Sequence, residues 1–139
     1  MSSANVSGGN GDARVDFMTH SIAFNAFEEI SDAWHLTDSE KAALLDIDLA
    51  GYRDWRKASQ DVKLSAEQVN VALCVLDIYD STHIIFGDIE YANDWVHRPD
   101  AALSDRIPLD VMLESSSGVT AIREHLRAII ASYAVKAAE

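Results

Sequence analysis

The residue types that staple or stop a chain are scarce here: one cysteine, two prolines and six glycines in 139 residues. Cys74 stands alone, which excludes an internal disulfide and a thiolate metal cage. Set in an apolar run, it reads as a small buried hydrophobe. No apolar run approaches the roughly 18 residues a membrane span requires, and no basic-plus-apolar leader opens the chain. The expectation is a cytoplasmic protein outside the membrane. Basic residues are also few, 11 against 23 acidic ones, for a net charge of −12 and a pI near 4.6. Affinity for nucleic acid draws on phosphate neutralisation, so an acidic surface argues against a binder driven by bulk electrostatics. It suits a partner protein with a cationic cleft, and equally plain solubility.

Catalytic clusters are missing too. His20, His35, His83, His97 and His125 are scattered, with no H-E-x-x-H and no metal-ligand spacing. The acidic pairs Glu28-Glu29, Asp46/Asp48 and Asp77/Asp80 read as solvated helix faces. No phosphate-cradling glycine loop and no nucleophile elbow occurs. His97-Arg98 beside Pro99 is the one polar cluster on a turn. The reading is a protein that binds, with no enzymatic activity, no cofactor and no metal.

No period-two run is long enough to build a sheet, so the fold class is all-α, with about seven helices. At 48% hydrophobic residues the chain has material for a core. Residues 1–13, rich in Ser, Gly and Asn, are a tail expected to be disordered. From about Asp16 to Trp34 the apolar residues Phe17, Phe24, Phe27, Ile30 and Trp34 recur near every 3.5 positions, an amphipathic helix with an aromatic stripe. That stripe is core or half of a dimer seam.

Thr37 or Asp38 caps a short helix through Ile47, with Glu40 placed for a capping box with Thr37. A turn at Asp46–Leu49 leads to a second helix, Leu49 to Ala58, that carries Arg53, Arg56 and Lys57. Short helix, turn and basic helix outline a helix-turn-helix, and these three cations are the candidate DNA-binding residues. Acidic residues outnumber them locally, so a helix-turn-helix kept as scaffold is the competing reading. Ser65 and Gln68 make a second capping box, followed by a helix apolar nearly all round from Val69 to Tyr79. It is taken as the central helix, too short to span a bilayer, ending at Gly87 as C-cap. So apolar a helix in so small a chain also suggests a homodimer contact.

Asp88 caps the next helix, with Glu90 in its first turn and Ile89, Ala92 and Trp95-Val96 on one apolar face. Pro99 ends it by pushing Arg98 out of the α region. Leu109, Met112 and Leu113 make a short helix after Pro108, 115–118 is a loop, and the last helix runs from about Val119 to Val135.

Phe86-Gly87-Asp88, Ala92, Trp95, Pro99, Pro108-Leu109 and Gly118 keep the order and spacing of a known pattern. Over about residues 37–130 the chain resembles Xre/MbcA/ParS-type antitoxins, the partners of RES-domain toxins. The loop departs from that family twice: Pro-Asn is usual where this chain has Pro99-Asp100, and glycine is common near Asp105. The resemblance implies a helix-turn-helix-like region over 14–64 and a toxin-binding helical domain over 65–139. It implies an antitoxin that blocks the cleft of an NAD-consuming RES-domain toxin and autorepresses its operon by binding operator DNA. The positions carried over to the toxin-facing surface are Trp95, Arg98, Pro99, Arg123, Arg127 and Lys136, with Trp95 as core support. A stand-alone helix-turn-helix regulator and an orphan helical interaction domain are the alternatives.

Overall fold

A computed structural model describes residues 19–138. The tail over 1–13 and Phe17 of the first aromatic stripe lie outside the described residues. Within them the chain forms seven α-helices and no strand, as the missing period-two pattern predicts. These are α1 (19–33), α2 (Asp38–Leu44), α3 (Leu49–Lys57), α4 (Ala66–Phe86), α5 (Ile89–Trp95), α6 (Pro108–Glu114) and α7 (Ser116–Ala138).

Local chemistry fixes most of the ends. Thr37 and Glu40 bond reciprocally at the start of α2, and Ser65 and Gln68 do so at the start of α4, satisfying N–H groups the first turn cannot. Asp48 caps α3 and Asp88 caps α5. Gly87 ends α4 at φ 74°, a left-handed conformation glycine adopts without a Cβ clash. Pro108 opens α6, where its missing N–H costs nothing.

One apolar cluster runs from Ala23 to Leu126 and joins both halves of the chain. Phe24, Phe27, Ile30 and Trp34 are all buried, so the aromatic stripe of α1 is core. Phe24 meets Tyr52 and, edge-on, Trp55, with ring centroids 6.2 and 6.0 Å apart. Beneath α1 lies a charged network. Lys41, only 4% exposed, pairs with Asp32 and lies 3.4 Å from Glu28, which accepts the Tyr52 hydroxyl at 2.5 Å. A buried lysine is tolerated only when paired in this way. Burial, then the bond to Glu28, pushes the Tyr52 phenol well above its ordinary value.

α4 is the spine, with α7 and α5 packed along it. Glu67 bonds to Ser116 and Asp77 to Arg127, an offset of 49 and then 50 residues, so α4 and α7 run parallel and end on the same side of the molecule.

Three expectations are corrected. α4 is 21 residues and, by length and composition, long and apolar enough to cross a membrane. Its buried face serves the core, while Leu73, Leu76 and Ile84 point outward. Ile89 is 64% exposed and does not share the apolar face of Ala92, Trp95 and Val96. Residues 116–118 are the first turn of α7 rather than a loop. Gly118 is there for packing, because a Cβ on it would lie 2.0 Å from the Val111 carbonyl oxygen of α6.

Candidate functional site

The α5 turn is built around Trp95. Its ring is buried near Phe86, with centroids 6.1 Å apart, and its Nε1 donates to Asp100 Oδ2 at 2.9 Å. Asp100 Oδ1 accepts from the Ala102 N–H at 2.8 Å and starts a 3₁₀ turn over Ala101–Leu103. The Asp100 backbone pairs with Arg106 across the loop. The acceptor work of this turn thus falls to an aspartate where the resemblance implies asparagine. Ser104 and Asp105 follow at φ 59° and 63°, a left-handed conformation that favours glycine.

Pro99 and Arg98 lie on the surface of this turn. Arg98 bonds Asp94 at 2.6 Å, and its guanidinium sits 4.5 Å from the centre of the Tyr91 ring. Beside them a cleft of about 550 Å³, with Asp88, Glu90, Asp94 and His97 in its lining, separates α5 from the end of α1. His97 Nε2 donates to the Trp34 carbonyl at 2.5 Å, so the histidine of this cluster staples the two halves of the chain together.

The α7 residues form a second set that does not converge with the first. Arg123, half-buried, bonds Glu124 at 2.7 Å. Arg127 bonds Asp77 at 2.7 Å. Lys136 lies in the last turn, where residues 131–138 are all exposed.

A third set sits on α3. Arg53 and Arg56 both reach Asp38 of α2, at 3.3 and 2.7 Å, and Arg56 also lies 5.4 Å from the Tyr52 ring centre. The Arg56 bond, with Arg53 adding to it, holds the Asp38 carboxyl below the ordinary carboxylate range. Lys57 is exposed beside them. Asp38 therefore competes with any phosphate for two of these three cations.

Among the described residues no group of three or more His, Cys, Asp or Glu side chains is arranged to hold a metal ion.

The helical order, the capped corner at Gly87 and the Trp95 turn meet a known family at this point. Residues 81–130 match the antitoxin Xre/MbcA/ParS C-terminal toxin-binding domain. Over those residues the chain is similar to an antitoxin toxin-binding domain. A protein of Sinorhizobium fredii (strain NBRC 101917 / NGR234), uncharacterized protein y4oB, is 31% identical over 90 residues, covering 64% of this chain and 68% of that relative. The chain belongs to one family with it. The matched region contains α5, α6, the Trp95 turn and the packed part of α7. The last eight helical residues follow it.

Sequence reasoning missed three contacts of this region, those of Asp100, Tyr91 and His97. Asp100 looked like a departure, although a carboxylate just past a Trp-containing helix end is a ready acceptor for the indole. Tyr91, which carries the Arg98 contact, gave no signal beyond being aromatic. The His97 bond spans 63 residues and had none.

Proposed function

We propose that this antitoxin silences a RES-domain, NAD-consuming toxin sterically, with its C-terminal domain seated on the toxin and the end of α7 closing the active-site cleft. The observation that carries this reading is the exposure of residues 131–138 on every face of a helix that has left the body behind. Two turns, about 12 Å of helix, project beyond Ile130. Their sequence is alanine-rich with Lys136 near the C-terminal dipole, so propensity and charge hold the shape without packing. Arg123 and Arg127 continue this surface down α7, Arg98 and Pro99 present the α5 turn, and Trp95 supports it from within.

The test is truncation after Ile130. The shortened chain should keep its binding to the toxin and lose its inhibition of NAD consumption. Full inhibition without the tail overturns the cleft-closing role, and no binding by the full chain overturns the antitoxin–RES pairing.

Operator binding with autorepression is a second reading, favoured by Arg53, Arg56 and Lys57 lying at 3–4 spacing on the exposed side of α3. Changing all three to Ala should abolish an operator shift while sparing toxin neutralisation. An unchanged shift and salt slope overturn the assignment. Self-association belongs with either reading. Its surface is the α1–α4 face, where Ile22, Ala26, Leu73 and Leu76 line a groove of about 160 Å³ with no charged side chain. A two-fold pairing there brings no like charges together at its centre. Leu73→Glu should shift the sedimentation coefficient to that of a monomer.

A further inference from the structure

Two turns of projecting helix are too little surface to hold a partner protein. A specific interface covers about 800 Å² on each side, so a toxin engaging the tail must also rest on the body. The parallel register of α4 and α7 restricts where. Both helices end on one side of the molecule, and that end includes the corner at Gly87 where α4 gives way to α5. Ile84 and Ile89 flank this corner, 65% and 64% exposed. Both lie inside the matched toxin-binding domain. On α7, Tyr133 continues the 3–4 stripe of Ile122, Leu126 and Ile129 past the last covered residue and stays 46% exposed.

Neither isoleucine is needed by the fold. The core takes Ile78, Ala92 and Val96 from the same stretch of chain, all fully buried. A pair of β-branched side chains with most of their surface in water, at a corner set by a left-handed glycine, is an apolar feature without an internal role. Around it stand Asp80, Asp88 and Glu90, all exposed. An acidic rim about an apolar centre fits a cationic protein surface with an apolar projection, and it repels an anionic lipid surface.

We infer that the α4–α5 corner, centred on Ile84 and Ile89, is the anchoring contact for the toxin. The α7 tail is then a separate, inhibitory contact. This rests on the antitoxin reading above and divides its surface into two parts with different jobs. The corner sets affinity. The tail, held near the cleft at high local concentration once the corner is engaged, sets inhibition.

The test uses the full chain with an inactive form of the RES-domain toxin co-expressed with it, read by titration calorimetry, with sedimentation of the free chain alongside. Ile84→Ser/Ile89→Ser should weaken toxin binding at least tenfold and leave the helical spectrum and melting midpoint unchanged, because both side chains are already largely in water. Asp80→Asn/Glu90→Gln should weaken binding less and flatten its dependence on salt. Truncation after Ile130 should weaken binding less than the isoleucine pair. Wild-type affinity in the isoleucine double variant overturns the anchor while leaving the antitoxin reading intact. Loss of self-association with unchanged toxin affinity does the same, and reassigns the corner to a second copy of this chain. No toxin binding by the unmodified chain overturns both.

Discussion

Asp100 Oδ2 accepts the indole N–H of Trp95 at 2.9 Å while Oδ1 caps the turn that follows Pro99. One carboxylate thereby ties the end of α5 to the loop that leads into α6. Two residues C-terminal to this loop's exit, the Leu109 N–H closes back onto the Val96 carbonyl at 2.9 Å. Asp100→Ala should leave the indole donor without a partner and the 3₁₀ turn without its cap, costing about 2 kcal/mol in urea unfolding. Asp100→Asn keeps one acceptor oxygen and should cost about half as much.

Gly118 is the most constrained position of the α6–α7 junction. A methyl group 2.0 Å from the Val111 carbonyl oxygen meets backbone, which cannot rotate aside. Gly118→Ala should therefore destabilise by about 3 kcal/mol in spite of alanine's better helix propensity. Gly51→Ala makes the contrast. Its added Cβ meets only the Asp48 side chain at 2.7 Å, and the expected loss is about 1 kcal/mol, that of the displaced cap. Thermal melts of the two variants should separate by several degrees.

Asp105 holds φ 63° with a side chain that bonds nothing among the described residues. Asp105→Gly should relieve that strain and raise stability by about 0.5 kcal/mol, with the denaturant slope unchanged.

The Tyr52 phenol is held protonated above its ordinary value of 10.0, chiefly by burial and then by the Glu28 bond. A group whose folded pKa is raised contributes stability that is complete below its unfolded pKa and fades as pH rises above it. Stability should fall as pH climbs past about 10, and Tyr52→Phe should lose most of that alkaline dependence. At neutral pH the same substitution should cost about 1 kcal/mol, the worth of the lost donor.

Lys41→Met removes the cation shared by Glu28 and Asp32. Asp32 is largely exposed and can return to water, whereas Glu28 is not, so the expected cost is about 2 kcal/mol rather than that of a fully buried pair. Combined with Tyr52→Phe the losses should not add, because both act on Glu28.

What the sequence determined by itself is whatever acts over three or four residues. Thr37 with Glu40, Ser65 with Gln68, and Asp88 fix helix starts through their own backbone neighbours, and Gly87 fixes an end through its own φ. The apolar spacing of α1 and α7 fixes which side of each helix turns inward, and the spaced motif from Phe86 to Gly118 lies within the residues that match an antitoxin toxin-binding domain. Only the tertiary structure decided which charges remain available to a partner. Arg53 and Arg56 read as displayed cations until α2 brings Asp38 within reach, 15 and 18 residues away. It also decided which side of the nearly uniform α4 is left in water, since a helix without a polar face carries no local sign of where its neighbours pack. Gly118 shows the same limit. A flexible loop and a close helix crossing call for the same residue, and the approach of Val111 alone distinguishes them.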